Sequence, residues 1–191
     1  YSNFINDQEL LLYSTEDKND TSITLNNIIL NEQNYFWLII DDFTGCELSS
    51  EQYKLIKLAK KSSLKAYAPY SNFYVGAAIK LSNGKMVTGN NQENSAFPSG
   101  LCAERVALFY AGANYPNEKI EKIAIFAKAS FNFNQIIMPC GNCRQALIEY
   151  EHKQNQNIEL ILNDQKNNIF ISKSIENILP FAFKCDELKK I

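Results

Sequence analysis

The chain has 191 residues, 46% of them hydrophobic, and a formal net charge of −2. That length can bury a sizeable core in one domain with material to spare. The charge balance lacks the basic footprint that nucleic-acid binders carry, so no polynucleotide partner is expected. The longest aromatic and aliphatic run, Tyr35 to Ile40, is far too short to span a bilayer, and no signal-peptide pattern opens the sequence. A cytoplasmic protein without membrane contact is the expectation.

Residues 1–46 are rich in Asn, Asp, Ile and Leu, and read as an extension of unassigned role with short strands at Ile23 to Leu30 and Tyr35 to Ile40. Asp41-Asp42 reads as a solvated turn. Residues 47–191 carry the stronger signal. Ser49 or Ser50 caps a helix that runs through Tyr53, Ile56, Leu58 and Ala59 and stops before Ala68-Pro69. Lys57, Lys60 and Lys61 read as its solvated face. Phe73 to Leu81 and Lys85 to Gly89 form a hairpin about Ser82-Asn83-Gly84. The small run Gly76-Ala77-Ala78 implies a helix packed closely on that strand.

A polar loop, Asn90 to Gly100, leads to a helix opened by Cys102, with Val106, Leu108, Phe109 and Ala113 as its apolar positions and an end near Gly112-Ala113-Asn114. Ile120 to Ala127 is a buried strand. Pro139 introduces a helix from about Gly141 to Glu151 with Ala146, Leu147 and Tyr150 inward, and His152 follows as an exposed helix residue. Ile158 to Leu162 and Ile169 to Ser172 are strands, and Ser174 to Ile178 is a short helix. Helices alternating with strands after an initial hairpin predict a three-layer α/β/α domain with a mixed sheet.

The chemistry concentrates in sulfur. There are five cysteines and one histidine, which excludes a two-histidine metal site and suits a reducing compartment better than a disulfide framework. Cys140 and Cys143 are three residues apart at a helix start, so both side chains leave one end on one side. Cys102 begins another helix. Unpaired N–H groups and the positive helix terminus favour thiolate at both places, and three thiolates on one Zn2+ leave a fourth position for water. Arg105 is placed to offset the thiolate charge, and Glu104 is the candidate general acid and base. A fourth, purely structural ligand would have to be Cys46 or Cys185, whose neighbours show no ligand spacing.

Cys102-Ala103-Glu104-Arg105 followed by Pro139-Cys140-Gly141-Asn142-Cys143-Arg144-Gln145 resembles the cytidine deaminase family. So do Tyr70 to Ala78, Asn91 to Asn94 and Leu179 to Phe183, in a resemblance that runs from about Ser49 to Asp186. The three-cysteine version is similar to the homotetrameric enzymes that act on free nucleosides in pyrimidine salvage. The resemblance implies one zinc per subunit on Cys102, Cys140 and Cys143, with Glu104 carrying a proton from the attacking water to ring N3. It also implies ribose 3′-hydroxyl recognition by Asn91 and Glu93, Phe73 packed on the nucleoside, and the Ala103 backbone orienting the base. Phe97 and Phe183 admit two readings: core aromatics, or rings that reach a neighbouring subunit's site in a tetramer or dimer. Phe97 stands where the family often has tyrosine. Two other functions compete with cytidine deamination. One is deamination of a related cytosine nucleoside such as a blasticidin-type antibiotic; the other is a non-catalytic, zinc-stabilised interaction module.

Overall fold

A computed structural model describes residues 38–40, 48–131, 136–179 and 181–184. Strands β1 (Leu38–Ile40), β2 (Phe73–Leu81), β3 (Met86–Asn90), β4 (Ile120–Ala129), β5 (Glu159–Asn163) and β6 (Ile169–Ser172) form one sheet in the order β1-β6-β5-β4-β2-β3. Only the β4–β5 pairing is parallel, so the sheet is mixed as expected. The strand anticipated at Ile23 to Leu30, the turn at Asp41-Asp42, Cys46 and Cys185 lie outside the described residues.

Alternation along the central strands separates two cores. Ala77, Ile79, Ile123, Ile125, Leu160 and Leu162 face helices α2 (Ala103–Asn114) and α3 (Gly141–Gln154), whereas Ala78, Ala124, Phe126 and Ile161 face α1 (Ser50–Ser63). The three layers follow directly from that period. Ser49 starts α1 with a reciprocal capping box: its hydroxyl accepts from Gln52 N at 3.1 Å, and Gln52 Oε1 accepts from Ser49 N at 2.9 Å. The anticipated close approach over Gly76 is present, since a Cβ there would meet the Ala59 carbonyl oxygen at 2.0 Å.

Three details depart from the sequence reading. The face that α2 buries is an alanine stripe, Ala103, Ala107 and Ala111 with Leu108, while Phe109 is exposed. Small residues allow the helix to lie on β3, where a Cβ on Gly89 would come within 2.5 Å of Ala107 N. The short helix expected at Ser174 to Ile178 is a single 3-10 turn over Glu176–Ile178, because Glu151 holds the preceding backbone. His152, in the last turn of α3, is half-buried rather than exposed.

Strands β3 and β4 run the same way with β2 antiparallel between them. Helix α2 follows β3 and α3 follows β4. Both helices therefore begin at one edge of the sheet. That places the chemistry.

Candidate active site

Cys102 is the N-cap of α2, Cys140 is the N-cap of α3, and neither side chain caps its own helix. An N-cap position favours Ser, Thr, Asp or Asn; cysteine there leaves its sulfur free to point elsewhere. The sulfur atoms of Cys102 and Cys140 are 3.8 Å apart, those of Cys140 and Cys143 are 3.4 Å apart, and all three lie within 4.8 Å of one another. A tetrahedral ion about 2.3 Å from each sulfur would separate the sulfurs by about 3.8 Å. The donor set and its spacing fit one zinc ion.

Charge supports the same assignment. The hydrogen bond from Cys143, together with those from Arg105 and Cys140, lowers the Cys102 thiol to about 5 despite its partial burial. Cys143 moves the opposite way: sharing its proton with Cys102, burial, and the negative charge of Glu104 and Cys102 all hold it as a thiol. One thiolate forms readily, and further ones need a cation among them. Arg105 Nη2 donates to Cys102 Sγ at 3.9 Å, and its Nε is buried without an acceptor. A guanidinium so placed has capacity for additional thiolate charge.

Glu104, in the first turn of α2, is only 5% exposed. Burial raises its carboxyl pKa to about 7, and the neighbouring Cys102 charge adds to the rise. Its carboxyl meets its own backbone N–H and the Cys143 thiol. A carboxyl beside three sulfurs, poised near neutral pH, is suited to taking and returning a proton.

A cavity of about 700 Å³ opens over these groups, walled by the start of β2, the end of β4, the segment after β3 and the lead into α3. Phe73, Asn91, Glu93, Phe97, Glu104 and Arg105 all line it. Asn91 is clamped to β2: its Oδ1 accepts from Val75 N at 2.8 Å and its Nδ2 donates to the Phe73 carbonyl at 2.9 Å. One N–H of the amide is left over. Glu93 accepts from Tyr70 N at 2.9 Å, from Ser71 N at 3.3 Å and from the Ser71 hydroxyl. Burial raises its pKa, but these three donors outweigh that and hold it below the ordinary carboxylate value.

Ala103 is fully buried in the core beneath the site and does not line the cavity. Its N–H, at the first helical position, has no partner within the helix. Neither Phe97 nor Phe183 is a core aromatic, since they are 77% and 69% exposed. Phe97 stands at the cavity mouth, edge-on to Tyr70 with ring centroids 6.3 Å apart, whereas Phe183 is absent from the wall. The sequence reading missed Tyr70 and Ser71 as site residues. The signal was the Pro69 turn, followed by Asn72 at φ 53°, which turns the chain so that two successive N–H groups face Glu93.

A three-layer α/β/α domain with a trio of thiols and a buried carboxyl at the floor of a cavity defines a zinc-binding enzyme of hydrolytic type. Residues 49–156 match the family described as the cytidine and deoxycytidylate deaminase zinc-binding region. The cytidine deaminase of Sporosarcina psychrophila is 35% identical over 135 residues, covering 71% of this chain and 93% of its own length. That of Mycoplasma genitalium is 35% identical over 130 residues, covering 68% and 93%. The crystal structure of cytidine deaminase from Burkholderia pseudomallei superposes with a TM-score of 0.60 at 38% identity, over 69% of this chain and 98% of that one. The chain belongs to the cytidine and deoxycytidylate deaminase family.

Proposed function

We propose that this chain hydrolyses cytidine and 2′-deoxycytidine to uridine and 2′-deoxyuridine with release of ammonia, as a step of pyrimidine salvage. The observation that carries this reading is a buried carboxyl, Glu104, set beside the Cys102, Cys140 and Cys143 sulfurs at the floor of a cavity of about 700 Å³. Zinc, when held by those three cysteines, supplies a Lewis acid that makes water nucleophilic at neutral pH.

The chain's own residues account for the rest. Glu104 takes a proton from the attacking water and delivers it to ring N3, which makes C4 electrophilic. It then carries the second proton to the exocyclic amine, which leaves as ammonia. The remaining Asn91 N–H donates to the ribose 3′-hydroxyl and a Glu93 oxygen accepts from it. Phe73 packs against the nucleoside, and the Ala103 N–H orients the base. A 3′-linked polymer has no such hydroxyl to offer.

Among the described residues lining the cavity, Arg105 is the one cation, and it is turned on Cys102. A 5′-phosphate would find no free positive partner among those residues, which favours a nucleoside over a nucleotide. Exposed Phe97 at the mouth and exposed Phe183 support a homotetramer, or a dimer, with sites shared between copies. Residues 47–191 form the catalytic domain in this reading; residues 1–46 are an extension from which Leu38–Ile40 adds an edge strand beside β6. No helix among the described residues is long and apolar enough to cross a membrane, and three free thiols at the site suit the reducing cytoplasm.

The test is ammonia release from cytidine, deoxycytidine, deoxycytidine 5′-monophosphate and a cytosine-containing oligonucleotide, measured beside zinc content. Turnover confined to the two nucleosides is the expected result. Zinc-loaded protein that leaves both nucleosides unchanged would overturn the proposal.

A further inference from the structure

We infer that Ser71 is a positioning residue: its hydroxyl, held by the Phe73 backbone, fixes the Glu93 oxygen that is left open to the ribose 3′-hydroxyl. The inference deepens the sugar-binding part of the proposed function and rests on it.

A carboxylate offers about four acceptor sites, two on each oxygen. Tyr70 N and Ser71 N both donate to Glu93 Oε2, at 2.9 and 3.3 Å. The Ser71 hydroxyl donates to Oε1. The two backbone donors fill Oε2, so the site that remains lies on Oε1, the oxygen that Ser71 holds.

A serine hydroxyl turns freely unless its oxygen is engaged. Here the oxygen accepts from Phe73 N at 3.1 Å, which leaves its proton for Glu93. The turn that permits this bond is local. Asn72 N donates to the Ala68 carbonyl at 3.1 Å, and Asn72 takes a left-handed φ of 53° that asparagine tolerates. The far end is not local, because Glu93 comes 22 residues later in the chain. A bond within the turn needs only an acceptor at position 71. The bond to Glu93 needs a donor, and a hydroxyl is both.

Phe73 is the common reference of the sugar grip. Its N–H is tied through Ser71 to Glu93, and its carbonyl accepts from Asn91 Nδ2 at 2.9 Å. The open N–H of Asn91 and the open site of Glu93 are therefore set against one residue of β2, which lines the same cavity. A donor and an acceptor that share one hydroxyl must stand at a fixed separation. Ser71 supplies that constraint on the Glu93 side.

The experiment compares Ser71→Ala, Ser71→Thr, Ser71→Asp, Glu93→Ala and the double variant Ser71→Ala/Glu93→Ala with the native protein. Each is assayed for kcat/KM on cytidine and on 3′-deoxycytidine, beside melting temperature and zinc content. Ser71→Ala removes a hydrogen bond to a charged group, so kcat/KM for cytidine should fall about tenfold. For 3′-deoxycytidine, which has no hydroxyl to place, it should stay near the native value. Ser71→Thr keeps the hydroxyl and should restore most of the activity on cytidine. Ser71→Asp keeps an acceptor for Phe73 N but sets a second carboxylate against Glu93, so it should do worse than Ser71→Ala. The double variant should match Glu93→Ala alone.

Equal losses on both substrates make Ser71 merely a prop of its loop and overturn the inference. A Ser71→Asp protein with native activity, or effects that add in the double variant, would do the same. If Glu93→Ala is impaired on cytidine while Ser71→Ala is not, only the inference falls. If Glu93→Ala turns over cytidine normally, the sugar-binding reading itself fails and takes the inference with it.

Discussion

Two buried glutamates on neighbouring helices make opposite use of the same burial. Glu104, at the start of α2, and Glu151, near the end of α3, are each 5% exposed. Glu151 accepts four hydrogen bonds: from Ile158 N at 2.7 Å, the Ser174 hydroxyl at 2.6 Å, Ile175 N at 2.9 Å and Glu176 N at 3.3 Å. Its carboxylate is a staple that joins α3 to the start of β5 and to the segment after β6. Glu104 meets only its own backbone N–H and a thiol, and burial holds its carboxyl up to about 7. Packing explains one residue completely. The other is left with unused hydrogen-bonding capacity that faces a cavity, and spare polar capacity in a buried place is where a ligand belongs.

One substitution made at both positions tests that contrast. Glu104→Gln is expected to cost about 10²–10⁴ in kcat, the usual worth of a positioned acid and base. Zinc content should be unchanged, and the melting temperature should not fall, because a neutral amide is easier to bury than a carboxylate. Retained activity would take Glu104 out of the mechanism. Glu151→Gln should do the reverse. Its amide can keep only one oxygen facing the four donors, so at least two of them lose their acceptor. At about 1–3 kcal/mol for each of two buried groups left unpaired, stability should drop by roughly 2–6 kcal/mol, or about 4–24 °C in melting temperature. The folded fraction should still bind zinc. Thermal melts of the two variants beside the native protein decide it, and a Glu151→Gln protein that melts normally would break the contrast.

Much of this was legible in the residues, and what was not has physical causes. Phe73 to Leu81 reads as a strand and is one over those residues. The metal trio follows from one histidine, three cysteines at helix starts, and two helices that begin at one edge of the sheet. The buried face of α2 was misread because hydrophobicity pointed to Phe109, whereas the helix approaches Gly89 backbone to backbone through Ala103 and Ala107. A sequence shows which residue is large but not how close a neighbouring backbone comes. The contacts that hold the segment after β6 were missed for a related reason: the partners of Glu151 and Gln145 lie between 7 and 38 residues away along the chain. No local pattern announces them. Phe97 and Phe183 were ambiguous between core and surface, and only tertiary structure places both rings outside.

Asn91 combines both kinds of behaviour in one side chain and gives the finest test. Its oxygen and one N–H are spent on Val75 and Phe73, as Glu151 is spent on its donors, while its other N–H remains, as Glu104 remains. Asn91→Asp keeps the acceptor for Val75 N but sets a carboxylate oxygen against the Phe73 carbonyl and removes the leftover donor. Both readouts should therefore move a little where each glutamate moves one of them a lot. Stability should fall by about 1–3 kcal/mol through the lost and repelled contacts. KM for cytidine should rise about tenfold or more, while 2′-deoxycytidine, which shares the 3′-hydroxyl, should suffer equally. A 3′-deoxy analogue supplies the control, because it should bind native and Asn91→Asp proteins with similar KM. If that analogue is discriminated as strongly as cytidine, the amide acts only as a clamp on β2 and the ribose is read elsewhere.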